Sequence, residues 1–141
     1  MEKLLEYGKF IIAFLGTSFT WLLGTWDTAL VVLISFMCID YITGIMKAFV
    51  NKEVSSSIGL KGIARKCLIL LVLIVAVLLD RLINNGTWLF RTLICYFYIA
   101  NEGISLLENA IGIGLDVPEQ LKDALIQLKE GNKKEFKKDA Q

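Results

Sequence analysis

The sequence contains no histidine, and this absence removes the side chain that serves most often as a general base and as a metal ligand. Three cysteines are present, but no Cys-x-x-Cys pair occurs, so no zinc site or redox motif is predicted. Gly59 and Gly62 have the look of a phosphate-binding loop, yet the Gly-Lys-Ser/Thr ending of such loops is missing. The pattern therefore predicts no enzyme and no cofactor.

Proline and charged residues are also scarce, and the fraction of hydrophobic residues is high. There is one proline, and 21% of the residues are charged against 55% hydrophobic, with a mean hydropathy of +0.60. A water-soluble domain is typically about 45–50% apolar, and here the excess lies in uninterrupted runs. We therefore expect an all-α fold in the form of a small polytopic membrane protein.

Four hydrophobic runs are candidates for membrane helices and define a membrane domain over residues 1–115. They lie at about residues 10–26, 28–46, 63–83 and 87–111. The first run is short, since a spanning helix needs about 20 apolar residues, so we expect three to four membrane helices. The residues 84–86 (NNG) predict a tight turn between antiparallel helices. Residues 116–141 predict a cytoplasmic segment, with a short amphipathic helix that ends at Gly131 and a mobile, Lys-rich tail.

A basic segment, residues 47–66, separates the second run from the third. It holds a single acid and five basic residues, which are Lys47, Lys52, Lys61, Arg65 and Lys66. Basic residues of short loops stay on the cytoplasmic side of bacterial membranes. The segment is therefore a topology anchor, and it predicts a multi-pass protein of the bacterial cytoplasmic membrane whose basic loop and C-terminus are cytoplasmic. No nucleic-acid partner is expected, because Phe136 is the one aromatic residue among the lysines of the tail.

The fourth run carries a stripe of polar residues at helical spacing. Alternating steps of four and three place six residues on one face, with Glu108 at its border: Arg91, Cys95, Tyr98, Glu102, Ser105 and Asn109. Three interpretations are open. The stripe is satisfied inside the bundle, for example by an Asp80–Arg91 pair; or it lines a water-filled lumen formed by several copies; or its second half emerges from the bilayer and is solvated. A short chain offers few internal partners, which favours a homo-oligomer embedded in the lipid bilayer.

Asp40 is an acid within the second hydrophobic run, with Gly44 and Ala48 on the same helix face. Ionisable residues in hydrocarbon usually face protein or water, and small residues let a second helix approach. Alternatively, Asp40 lies near the cytoplasmic interface, where it is hydrated or paired. The candidate pore-lining or oligomerisation residues are therefore Asp40, Gly44, Ala48, Arg91, Tyr98, Glu102, Ser105, Glu108 and Asn109.

Several short motifs resemble the toxin-secretion and phage-lysis holin family. They are residues 40–44 (DYITG), 56–66 (SSIGLKGIARK), 98–103 (YIANEG) and 117–119 (VPE), and the resemblance spans roughly residues 24–130. It implies a protein that assembles in the bacterial cytoplasmic membrane and opens large lesions. A peptidoglycan hydrolase (endolysin) or a toxin leaves the cell through these lesions. This functional partner need not contact the membrane protein directly. Two other classes stay open: a small ion or solute channel or transporter subunit, and a structural membrane subunit whose stripe docks a partner.

Overall fold

The computed structural model describes the backbone of residues 1–83 and 87–138, with side chains up to residue 130. This part of the chain forms five α-helices and no strand: α1 (Glu2–Leu23), α2 (Thr28–Val50), α3 (Ser56–Ile83), α4 (Leu89–Ile113) and α5 (Glu119–Lys138). The all-α prediction is therefore confirmed. The turn predicted at residues 84–86 lies outside the described residues.

Local chemistry explains where the helices begin and end. The Asp27 side chain accepts a hydrogen bond from the Leu30 backbone amide at 3.0 Å and so caps the N-terminus of α2. Before it, Gly24 has φ +83° and ψ −139°, a backbone conformation that is essentially restricted to glycine. Gly114 ends α4 in the left-handed conformation with φ +98°, and its amide bonds back to the Ile111 carbonyl at 2.9 Å.

The basic segment proves to be mostly helical rather than a loop. Lys47 belongs to the last turn of α2, whereas Lys61, Arg65 and Lys66 lie on α3. Lys52 alone of the five basic residues lies in the connection between these helices. Lysine and arginine are good helix formers, and the Ser55 hydroxyl accepts from the Ile58 amide at 3.3 Å near the start of α3. The prediction that α3 begins at residue 63 is therefore wrong by seven residues.

The first and last helices also differ from their predicted limits. α1 begins at Glu2 rather than near residue 10, because the Lys, Glu and Leu residues before its apolar part favour a helix. The prediction that Gly131 ends the last helix is wrong, since α5 continues to Lys138. One glycine costs a helix only about 1 kcal/mol, and the Lys- and Glu-rich sequence that follows restores the preference. The same finding corrects the prediction of a tail without regular structure as far as residue 138.

The core lies between α2, α3 and α4. Its buried hydrophobic residues are Leu23, Leu30, Leu33, Met37, Ile69, Leu73, Cys95 and Ile99. α2 runs parallel to α4, because Asp27 meets Arg91 at one end and Asp40 meets Asn109 further along. α3 runs antiparallel to both, since Lys66 meets Glu102 and Asp80 meets Arg91. One end of the bundle therefore holds the start of α2 and α4, and the other holds the basic residues.

The outer faces of the bundle are apolar. Among the described residues, α2 and α3 are the helices with the length and apolar composition of a membrane span, with mean hydropathies of 2.1 and 2.6. Large side chains such as Ile42 and Phe49 of α2 and Leu71 and Val75 of α3 are more than half exposed. α1 is exposed along almost its whole length and meets the bundle at Leu23, which is fully buried. Such surfaces fit a lipid environment.

Candidate functional site

A three-residue charge cluster joins the middle of α2, α3 and α4. The Lys66 ammonium bonds Asp40 Oδ2 at 2.6 Å and also contacts Glu102 Oε2. The Glu102 side chain is 1% exposed, while those of Lys66 and Asp40 are 13% and 12% exposed. Charges in a bundle interior are tolerated only when they are paired. Lys66 therefore binds α3 both to α2, through Asp40, and to α4, through Glu102. We call this set of three residues the Lys66 cluster.

Asn109 lies further along α4 than Glu102 and extends the Lys66 cluster. Its amide nitrogen donates to Asp40 Oδ1 at 3.1 Å, to the Asp40 carbonyl at 3.3 Å and to Thr43 Oγ1 at 3.3 Å. The Thr43 hydroxyl itself donates to the Asp40 carbonyl at 3.0 Å. α4 is therefore bound to α2 directly through Asn109, and through Lys66 of α3 at Glu102.

The Lys66 cluster is not balanced in hydrogen bonds or in formal charge. Two carboxylates share one ammonium, and Glu102 Oε1 is fully buried without a hydrogen-bond partner in the described part of the chain. An unsatisfied buried acceptor costs about 1–3 kcal/mol. Glu102 therefore has room for a further hydrogen bond on the side of its carboxylate that Lys66 does not contact.

A second charged centre lies at the opposite end of the bundle. The Arg91 guanidinium, 1% exposed, bonds Asp27 Oδ2 at 2.7 Å and Oδ1 at 3.1 Å. It also donates to the Leu23 carbonyl at 2.8 Å and the Thr25 carbonyl at 2.6 Å. The hydrogen bond from Arg91 lowers the pKa of Asp27 below its ordinary value of 3.8. Arg91 therefore ties the α1–α2 connection to α4.

The expected Asp80–Arg91 pair is only partly correct. The Asp80 carboxylate accepts hydrogen bonds from the backbone amides of Phe90 at 2.9 Å and Arg91 at 2.7 Å. It thereby satisfies amides in the first turn of α4, which have no partner within the helix. The ion pair of the Arg91 guanidinium is with Asp27. No local signal in the sequence links positions 27 and 91.

A cavity of about 290 Å³ opens beside the Lys66 cluster, between the end of α2 and the start of α3. Five of the predicted residues line it, which are Asp40, Gly44, Ala48, Ser105 and Asn109, together with the anchors Lys47, Arg65 and Lys66. The cavity is also lined by Tyr41, Gly59 and Gly62. A Cβ at Gly62 would lie 3.2 Å from the Tyr41 ring.

The other predicted residues lie elsewhere. Arg91 belongs to the second centre, Tyr98 packs against the hydrophobic core, and Glu108 is exposed on the outside of α4. Within a single chain the polar stripe is thus largely satisfied inside the bundle, the first of the three interpretations. Sequence reasoning missed the role of Lys66, which it treated only as an anchor. Its position just before a long apolar run was a signal that it could be drawn into the bundle.

Comparison with known proteins places these features in a family. The bacteriophage holin family matches residues 17–130. An uncharacterized 14.9 kDa protein of Clostridium perfringens is 57% identical over 134 residues, covering 95% of this chain and 100% of the relative. A probable holin of Bacillus phage phi105 is 41% identical over 104 residues, covering 73% of this chain and 76% of the relative. No solved structure matches the chain with significance. The chain belongs to the bacteriophage holin family.

Proposed function

We propose that this membrane protein is a holin that oligomerises in the bacterial cytoplasmic membrane and opens lesions for a peptidoglycan hydrolase or a toxin. The observation that carries the proposal is the family match over residues 17–130. The architecture supports it, because α2 and α3 present apolar side chains outward, whereas Asp40, Lys66 and Asp80 face the interior of the bundle. A bundle of this kind is suited to lipid while closed, and it holds polar groups that could line an aqueous opening.

The proposed topology rests on the position of the basic residues. Lys47, Lys52, Lys61, Arg65 and Lys66 lie towards one end of the bundle, at the end of α2 and the start of α3. By the positive-inside rule this end faces the cytoplasm, and α4 ends on the same side. The C-terminal segment then begins in the cytoplasm. If α1 also crosses, its N-terminus is cytoplasmic and the chain has four membrane helices.

Assembly exchanges internal partners for partners on other copies. Asp40, Glu102 and Asn109 bond across helix interfaces within one chain, and Glu102 Oε1 has no hydrogen-bond partner in the described part of the chain. A group that is paired in the single chain can pair with the same group of a neighbour or with water in a lumen. As the copy number rises, mass action favours these arrangements, so we expect opening after a delay.

The decisive experiment is release of protein-sized cargo from vesicles that contain the purified chain. We expect an enclosed enzyme to escape above a threshold ratio of protein to lipid. Release of ions without the enzyme would instead support a small channel. Retention of both ions and enzyme at every ratio of protein to lipid would support a structural subunit. In cells, expression should stop growth abruptly and, with a hydrolase present, cause lysis after a lag.

A matched pair of substitutions on α4 tests the role of the polar stripe. Glu102→Leu removes a buried carboxylate, whereas Glu108→Leu makes the same change on the exposed side of the same helix. We expect Glu102→Leu to shift the time of lysis by more than Glu108→Leu. Equal shifts would assign assembly to the outer face of α4, and unchanged timing for Glu102→Leu would remove that residue from the mechanism.

A further inference from the structure

α5 folds back along α4 instead of extending away from the bundle. Leu125 of α5 lies beside Gly103 of α4, and Lys129 Nζ lies 6.0 Å from the ring centre of Phe97. The residue numbers rise along one helix as they fall along the other, so the two helices are antiparallel. Leu128 packs against the hydrophobic core, while Leu121 at the start of α5 is half exposed.

The contact between these helices depends on the absence of a side chain at Gly103. A Cβ at this position would lie 2.9 Å from Leu125 Cδ1 and 3.1 Å from Phe36 Cε2. Gly103 is itself buried, so Leu125 and Phe36 cover the α4 backbone directly. Glycine at a helix surface allows close approach of another helix, and this is a common feature of association within membranes.

The position of this contact along the candidate membrane spans conflicts with the charged composition of α5. Gly103 follows Glu102, which bonds Lys66 near the middle of the bundle, so α5 lies beside the central part of the candidate spans. α5 presents charged side chains away from the bundle, among them Glu119, Lys122, Asp123 and Glu130, all exposed. Ionisable residues in membrane segments rarely face lipid. Full insertion of α4 and docking of α5 therefore exclude each other.

We propose that α5 covers α4 reversibly. α5 must leave α4 before copies of the chain assemble. Docked, it occupies the surface around Gly103. Released, it moves into the aqueous phase and frees that surface for a helix of a second copy of the chain. The inference rests on the proposed holin function and adds its regulation: the C-terminal helix sets the threshold at which copies associate.

A disulfide lock tests the cover. In a chain whose own cysteines are replaced (Cys38→Ser, Cys67→Ser, Cys95→Ala), Gly103→Cys and Leu125→Cys place two thiols within reach. The loss of the leucine removes its close contact with the new side chain, and the Phe36 ring has to shift by a few tenths of an ångström. The protein is reconstituted in vesicles that enclose an enzyme, under oxidising or reducing conditions. We expect at least tenfold less release from the oxidised than from the reduced form of this variant, while Gly103→Cys alone and Leu125→Cys alone each release equally under both conditions. Gly103→Cys alone also gives the basal release when a side chain is added at this surface.

A second substitution releases the cover without a crosslink. Leu128→Glu puts a charge where α5 meets the core, and Gln127→Glu puts the same charge on the exposed side of the same helix. We expect Leu128→Glu to lower the threshold ratio of protein to lipid severalfold, and Gln127→Glu to leave it unchanged. A threshold that does not fall would contradict the inference.

The outcomes separate the cover from the function on which it rests. Equal release from oxidised and reduced protein, with the disulfide confirmed by gel mobility, overturns the cover and leaves the holin function intact. If the wild-type chain, the reduced protein and Leu128→Glu all fail to release cargo at every ratio, the proposed function fails and the cover fails with it.

Discussion

Arg91→Met is the substitution for which the structure makes the sharpest prediction. Arg91 is almost completely buried and donates to Asp27 and to the carbonyls of Leu23 and Thr25. Methionine fills a similar volume but donates no hydrogen bond. The change therefore removes every polar contact between the α1–α2 connection and the Arg91 side chain while disturbing the packing little.

The expected loss can be estimated from these contacts. The buried Leu23 carbonyl loses its donor, which costs about 1 kcal/mol at the lower end of the range for buried groups. The Thr25 carbonyl keeps a hydrogen bond from the Asp27 amide at 3.0 Å, so its loss adds little. The Asp27 side chain is 43% exposed, so water replaces much of its lost partner and its share is at most about 1 kcal/mol. The total is about 2 kcal/mol, below the range of about 3–5 kcal/mol for breaking a fully buried pair, because Asp27 is partly exposed. This corresponds to a shift of more than tenfold in the folding equilibrium.

The measurement is the free energy of unfolding in detergent, followed by circular dichroism. Arg65→Met is the matched control, because Arg65 is exposed on α3, and we expect a change of less than about 0.5 kcal/mol for a surface position. If Arg91→Met is no less stable than Arg65→Met, the second charged centre does not hold the connection and the reasoning is refuted.

Two further predictions concern the remaining charged groups. Lys66→Met leaves two carboxylates in the bundle without their cation and should cost about 3–5 kcal/mol, whereas the exposed Lys61→Met should cost little; equal losses would show that the Lys66 cluster is hydrated. The pKa of Asp27 is lowered in the folded chain, so its ion pair contributes stability above the unfolded-state pKa of about 3.9 and loses it as the pH falls through the lower folded value. Asp27→Asn keeps a side chain able to cap α2 but should lack this part of the acid slope below about pH 4. An unchanged slope would assign it to other carboxylates.

The position of α5 changes how a charged C-terminal segment is understood in this protein. The sequence predicts an amphipathic helix before a solvated tail, and Leu125 on the apolar side of that helix lies against α4 at Gly103. An amphipathic helix can bury its apolar side against protein or expose all of itself to water, and small differences in free energy decide between the two. This makes α5 suited to a reversible contact, whereas the paired charges of Arg91 and Lys66 bind their helices more firmly.

Much of the architecture follows from sequence because it depends on neighbouring residues. Hydrophobic runs determine which segments are helices suited to lipid, and the spacing from Arg91 to Asn109 places polar groups on one face of α4 whatever surrounds it. Gly114 similarly ends a helix through its own backbone freedom. The motifs shared with holins are local in the same sense, so the family could be recognised before the fold was known.

Tertiary structure alone decided which partner each polar group has. Lys66 lies 26 residues from Asp40 and 36 from Glu102 along the chain, and Arg91 lies 64 from Asp27. Such pairs depend on the relative rotation and height of whole helices, which the periodicity of one helix does not contain. For the same reason the stripe on α4 showed that polar partners were needed, but only the packing of α2 and α3 against it showed that one chain supplies most of them.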